Sequence, residues 1–404
     1  MSPAAFPFAT PLPWALLMAL CFAIAAAILA ASAFYRERLA EQAGQRFQTL
    51  DGLRGFAALA VFFAHCATNY GYWTTGRWDG GAAHFYGAIG AAAVSLFMMI
   101  TGFLFWTRVL REGEALSTAK LYRSRIRRLV PMYLVSVALS ALVVAVLTGF
   151  TLQTGLIQFL RDLRAWLSFG FIQNGDLNGL PDARYINAVY WTLALEWSFY
   201  AALPLLAQFR RGWRFWLLCA VTVYFGLRSP LWLCFLFGAL AALAIERGLL
   251  TGRLAAPWLA PVALVPLVLA LPFEEIYAVW PLALLAVFFV FVLDGQSLLG
   301  LLRCAPARLL GAVSYSVYLV HCIVLYSVMR AVNAVTPLGS LAPLEFWSWA
   351  ALAVSLAVGL SAITYRYVEY PFIAPGRKVW KTSKENPENP PSPSPSSWDP
   401  VSPR

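Results

Sequence analysis

Apolar residues fill this chain in long runs, separated by short polar stretches that are mostly basic. Windows near 13–34, 52–70, 87–107, 129–148, 188–208, 213–227, 230–247, 257–273, 277–293, 310–332 and 346–367 each read as one apolar segment. A hydrocarbon layer roughly 30 Å thick is crossed by about 20 helical residues. Only a helix or a closed barrel satisfies its own backbone there. The runs are continuous rather than alternating, so the pattern predicts an all-α, polytopic transmembrane bundle of about 11 helices. Very short turns join the segments around Arg228–Pro230 and Phe273–Glu275.

The basic residues orient the bundle. Residues 1–13 hold no Lys or Arg, whereas Arg36, Arg38 and Arg46 follow the first helix. Basic loops stay in the cytoplasm, which puts the N-terminus outside and the 35–51 linker inside. Alternation then brings 108–128, Arg210 to Arg214, 246–253, Arg303 to Arg308 and 377–384 to the same inner side. Two longer segments fall outside. Residues 71–86 are rich in Gly, Trp and Tyr, and 149–187 mix Arg with Asp162, Asp176 and Asp182. Such aromatics suit either a sugar-contacting vestibule or anchoring at the membrane interface. The first segment lacks the basic start and cleavage site of a signal peptide, so a retained helix is expected. From Glu385 onward Pro, Ser and Asn predict a disordered cytoplasmic tail. The expected division is 1–45 (extra helix and linker), 46–373 (membrane domain) and 374–404 (tail).

Composition agrees with this class. Of 404 residues 60% are hydrophobic and 12% charged, and mean hydropathy is +0.67; a soluble surface would need more charge. The net charge of +11 reports loops facing lipid, and no nucleic-acid-binding module accompanies it. The six cysteines show no CxxC or metal-like spacing and read as buried apolar residues. With three histidines and no HExxH, no metal is expected.

Ionisable groups inside hydrocarbon are the natural functional candidates. In the stretch Thr49–His65, Asp51 can cap a helix. Arg54 sits at its mouth and His65 about 16 Å deeper on the same face. A cation suited to phosphate and a general base on one helix suggest chemistry within the membrane. Thr101 and Gly102 allow close helix approach, with packing or catalysis as equal explanations. Arg125 and Arg128 project together and can clamp phosphates, or can serve as positive-inside charge. Glu196 falls at a depth similar to His65 in the outer half, where a carboxylate can fix a histidine tautomer. Ser314, Tyr318 and His321 share one helix face. His84 reads as a surface residue, and Glu369 as a partner of Arg366.

Together these segments resemble the acyltransferase family 3 membrane proteins, bacterial enzymes that acylate sugars and related acceptors. The resemblance covers about Arg46 to Phe372. It rests on Leu50-Asp-Gly-Leu-Arg-Gly55 with the Arg54–His65 spacing, Thr101-Gly-Phe-Leu104, and Arg125, Arg128, Pro131 and Tyr133. Further along it rests on Trp191, Thr192, Glu196, Phe199 and Tyr200, then Ser314, Tyr315, Tyr318, Leu319 and His321, and finally Glu369 with Pro371. It implies an acyl-CoA donor, acetyl-CoA in the simplest case, entering from the cytoplasm of an inner-membrane protein. Its phosphates would lie near Arg54, Arg125 and Arg128, with Asp51 beside them. His65 would be the base, Glu196 would orient it, and Thr101, Tyr318 and His321 would support the reacting centre. The acceptor would be a hydroxyl of an extracytoplasmic polysaccharide or glycolipid, or of a small secreted molecule such as a macrolide.

This chain departs from the family at Thr101, where serine is usual, and in its added first helix. It also lacks the fused extracytoplasmic domain of some relatives. It therefore completes the transfer itself, as monomer or homo-oligomer, or hands the acyl group to a separate transferase. A glycan transporter using His65 and Glu196 as a proton relay is the alternative from another class. Such a protein would favour inverted repeats, which the chain does not display.

Overall fold

The computed structural model of the protein describes residues 7–8, 11–41, 47–78 and 84–373. The expectations for linker residues 42–46, for 79–83 of the first outer segment and for the tail 374–404 with its basic run lie outside the described residues. Among the described residues every regular element is helical. In chain order they are α1 (Leu12–Ala31), α2 (Ala33–Glu41), α3 (Gln48–Thr75), α4 (His84–Glu112), α5 (Thr118–Leu147), α6 (Leu156–Trp166), α7 (Trp191–Leu206) and α8 (Gly212–Gly226). There follow α9 (Leu231–Glu246), α10 (Ala260–Ala270), α11 (Val279–Leu293), α12 (Ala305–Ala312), α13 (Ser314–Val335), α14 (Pro343–Thr364) and α15 (Tyr370–Ile373).

Each of the eleven apolar windows is helical. Among the described residues six helices reach a length and apolarity sufficient to cross a membrane: 12–31, 48–75, 84–115, 118–147, 314–335 and 343–373. The helices from α7 to α11 are shorter. Prolines explain part of this, since Pro204 lies inside α7, Pro230 precedes α9 and Pro266 interrupts α10; each removes an N–H donor and crowds the preceding turn. The window 310–332 divides at Val313 into α12 and α13. The segment 149–187, expected outside, contains one further α-helix, α6. It leaves Leu156, Ile157 and Leu160 exposed and buries only Trp166, a pattern suited to a membrane surface.

Small residues set the two closest crossings. A Cβ on Gly102 of α4 would lie 2.4 Å from the Phe235 carbonyl oxygen, and one on Gly238 of α9 would lie 2.3 Å from that of Met99. The two helices therefore touch backbone to backbone, as helices do in lipid. At the start of α3, Gly52, Gly55 and Gly311 play the same part. Added Cβ atoms there would meet the carbonyl oxygens of Leu302, Ala307 and Asp51 at 2.0, 2.6 and 1.8 Å. The glycines flanking Arg54 thus press its helix onto α12.

Buried side chains form two clusters. The larger joins α4, α5, α7, α9 and α11, and the second joins α1, α2, α12 and α14. Both α3 and α13 contribute to each cluster, through Val61 and Tyr318 to the first and Phe62 and Val317 to the second. The two helices carrying His65 and His321 therefore stand at the seam.

Candidate active site

A cavity of about 520 Å³ opens where the ends of α3, α4 and α5 meet. Its walls carry Arg54, Arg108, Arg111, Lys120, Arg125 and Arg128 against only two carboxylates, Glu112 and Glu196. Glu112 is already bonded to Arg108 at 2.7 Å. The charged groups that act on Arg54 are Arg128, Asp51, Glu369 and Glu196. Arg125 lies 4.9 Å over the Phe105 ring and 5.9 Å over that of Tyr200, a cation–π seat that aims the guanidinium without neutralising it. A second cavity of about 210 Å³ shares Arg125 and Arg128 and adds Arg123 and Arg127.

Deeper in the larger cavity the charge gives way to hydroxyls. Glu196 accepts a hydrogen bond from Thr101 at 3.4 Å and another from Tyr200, one helical turn along α7. Thr192 donates to the Val189 carbonyl at 2.9 Å and lies 2.7 Å from the Tyr318 hydroxyl. Its single proton being used, Tyr318 must be the donor to Thr192. Towards the cavity Tyr318 therefore offers only lone pairs.

Beyond Tyr318 lie the two histidines. The His321 ring is 6.0 Å from that of Tyr318, and the His65 ring is 5.1 Å from that of His321. Their hydrogen bonds fix where the protons sit. His321 Nδ1 is 3.0 Å from the Val317 carbonyl, so in the neutral ring Nδ1 carries the proton and Nε2 holds a lone pair. His65 Nδ1 is 3.2 Å from that Nε2 and 2.9 Å from the Val61 carbonyl. Both partners accept, so His65 Nδ1 is protonated and its Nε2 is free to take a proton. The Cys322 thiol lies 3.3 Å from His321 Nε2. Donor atoms of His65, His321 and Cys322 lie within 4.8 Å of one another, a grouping that the spacing of cysteines did not foreshadow. In this arrangement His321 Nε2 and His65 Nδ1 already serve one another.

The structure thus gathers Arg54, Arg125, Arg128, Thr101, Glu196 and Tyr318 around one cavity, and sets His65 and His321 together just beyond it. Three expectations need correction. Glu196 does not bond His65: its Oε1 accepts from Thr101 and Tyr200, whereas His65 Nδ1 faces the Val61 carbonyl and His321. Asp51 is not the cap of α3, which begins at Gln48, so Asp51 sits within the first turn, where an acidic side chain still favours the helix dipole. Glu369 is not paired with Arg366. It is fully buried, accepts from the Ser316 hydroxyl at 3.0 Å, and has Arg128 as its nearest charge, while Arg366 lies over Phe34 and Tyr367. The reason is a π turn at Tyr365–Glu369, which rotates the carboxylate inward. Tyr200 and Cys322 were not singled out as site residues. Tyr200, one turn after Glu196, was open to the helix spacing rule.

The sequence profile of the acyltransferase domain matches residues 47–366. Nodulation protein 10 of Rhizobium leguminosarum bv. viciae is 30% identical over 175 residues, 41% of this chain and 45% of that protein. The acyltransferase MdmB of Streptomyces mycarofaciens is 30% identical over 166 residues, 40% of this chain and 39% of its own length. The match therefore spans less than half of either relative. The exopolysaccharide production protein ExoZ of Rhizobium meliloti strain 1021 is 29% identical over 312 residues, 72% of this chain and 91% of that protein. No solved structure matches the chain. The profile covers the whole of α3 to α13, with the arginine cavity and the histidine pair inside it, and the chain belongs to the acyltransferase family 3 membrane proteins.

Proposed function

We propose that the protein is an integral-membrane O-acyltransferase that moves an acyl group, acetyl in the simplest case, from acyl-CoA to a hydroxyl of an extracytoplasmic carbohydrate. One observation carries the proposal: a cation-rich cavity ends at Tyr318, with the His321 ring 6.0 Å beyond it and the His65 ring 5.1 Å from that of His321. Arg54, Arg125, Arg128 and the neighbouring basic residues would hold the phosphates of CoA, with arginine forks suited to that role. By the basic-loop rule this end faces the cytoplasm. The thioester arm would run along Leu104, Phe97 and Thr101.

The acceptor would approach from the opposite end. Its hydroxyl oxygen attacks the thioester carbonyl, the C–O bond forms, and the proton passes to His65 Nε2. The C–S bond then breaks, and the thiolate of CoA leaves with the proton returned by His65. His321 positions His65 by accepting from Nδ1, the service a carboxylate gives elsewhere. Glu196 would hold the Thr101 and Tyr200 hydroxyls in place at the thioester. The name of ExoZ, which covers most of this chain, favours an exopolysaccharide as acceptor.

The test uses membranes containing wild-type protein or His65→Ala, supplied with isotopically labelled acetyl-CoA. Label is followed into the cell-surface glycan by mass. Label with wild type and none with the variant, at equal expression, is expected. Label with both would remove His65 from the chemistry, and label with neither would reject acetyl transfer to glycan.

A further inference from the structure

At the end of α3 opposite the arginines, α3 itself, the stretch that follows it and the loop before α7 converge on a group of aromatic rings. Tyr72 follows His65 by seven residues, two turns along the same face and about 10 Å further on. The Trp78 and Tyr185 rings are stacked, 4.3 Å apart and within 9° of parallel. Tyr72 closes on Tyr185 at 4.7 Å, and the Trp78 ring stands 6.3 Å from that of His65. All three aromatic residues keep partial exposure.

The polar groups beside the rings are few and placed. Asp182 accepts from the Tyr72 hydroxyl at 3.4 Å and from Arg184 at 3.4 Å. Arg184 also donates to the Tyr185 hydroxyl at 2.9 Å. The loop holding them is anchored from below. Asp182 takes a left-handed φ of 58°, and buried Asn187 donates to Ser136 and to the Leu319 carbonyl, both at 2.8 Å. Leu319 lies two residues before His321, so the loop is tied directly to the histidine helix.

Aromatics that only anchor a protein at the interface point outward, singly, toward headgroups. These rings pack on one another and on the general base instead. We infer that Trp78, Tyr185 and Tyr72, with Asp182 and Arg184, form a binding site for a neutral pyranose unit that presents its hydroxyl to His65. Ring faces match the C–H face of a pyranose, and a carboxylate beside a guanidinium matches its hydroxyls. The two charges cancel, which disfavours a strongly anionic sugar. The inference rests on the acyl-transfer reading for its function, but not for its binding.

The full chain in lipid nanodiscs would be tested for binding to de-O-acetylated exopolysaccharide of the bacterium that carries it, immobilised on an optical sensor without acyl-CoA. Methyl glucopyranosides and galactopyranosides would serve as competitors. Wild type is expected to bind, and Trp78→Ala and Tyr185→Ala about tenfold more weakly. Trp78→Phe keeps a ring and is expected to retain most of the affinity. It remains informative if Trp78→Ala does not fold. Unchanged binding by both ring variants, or no binding by wild type, overturns the proposal. Trp78→Ala and Tyr185→Ala assayed for label transfer from acetyl-CoA should show a raised KM for the glycan and an unchanged KM for acetyl-CoA. Ring-dependent binding by wild type without any transfer of label would reject the acyltransferase reading and leave the saccharide site standing.

Discussion

Arg54 and His65 belong to one helix, about 16 Å apart along its axis, and their surroundings differ in kind. Around Arg54 the cavity collects six basic side chains and two carboxylates, one of which is already paired. Its field is unfinished and suits an anionic ligand. Around His65 every polar partner is supplied by the protein itself, and the ring is preset with Nε2 free. One region waits to be completed and the other is completed in advance. Binding energy is therefore expected to come from the first and proton transfer from the second.

That division can be broken by kinetics. The largest expected effect is on His65→Ala, with kcat for transfer reduced about 10²- to 10⁴-fold and the KM for acyl-CoA unchanged; a rise in that KM would erase the boundary between the regions. Arg128→Ala should do the reverse, raising the KM for acyl-CoA about tenfold or more, with Arg128→Lys intermediate because a lysine cannot fork. Equal damage to kcat would show that the arginine acts in chemistry.

Two smaller changes sharpen the comparison through packing and hydrogen bonding. Gly102→Ala places a methyl against the Phe235 carbonyl, and should lower stability by about 1–3 kcal/mol, read as a drop in Tm in detergent. An unchanged Tm would mean that α4 and α9 can separate without loss. Tyr318→Phe removes only the bond to Thr192, about 1 kcal/mol. It should alter kcat least, unless Tyr318 gates the passage between the two regions, in which case transfer would rise or fall well beyond that figure.

Much of this arrangement was legible in the sequence, and the reasons differ by residue. The helices followed from apolar runs, because a bilayer imposes length and continuity. Charge sidedness put Arg54, Arg125 and Arg128 at one end of the bundle, and the family resemblance implied that they act together. The partner of His65 did not follow. Depth along a helix axis says how far a residue reaches into the bundle but not which neighbour it faces, and Glu196 and His321 were both near the right depth. Only side-chain direction separates them, and it depends on how α7 and α13 rotate against α3. Glu369 was hidden for a related reason: the π turn shifts its face by an increment that ordinary helical spacing does not include.

The two N-terminal helices precede the matched acyltransferase domain, yet they are fastened to its far end. The Tyr35 hydroxyl donates to the Ala362 carbonyl, and Arg38 donates to the Tyr370 hydroxyl. The Trp347 indole donates to the Pro7 carbonyl at 2.7 Å, within a knot of rings formed by Phe8, Tyr70, Tyr86, Phe346 and Trp347. During synthesis, then, α1 is made long before α14, one of the helices it packs against. Until α14 arrives, α1 lies in lipid with less cover, held by neighbours such as α3, where Phe22 meets Phe56. Its own sequence allows this, being free of any charged residue from Leu12 to Ala31. Loop closure over almost the whole chain is slow, so the final joining of α14 to α1 is the step at which biogenesis of this protein would wait.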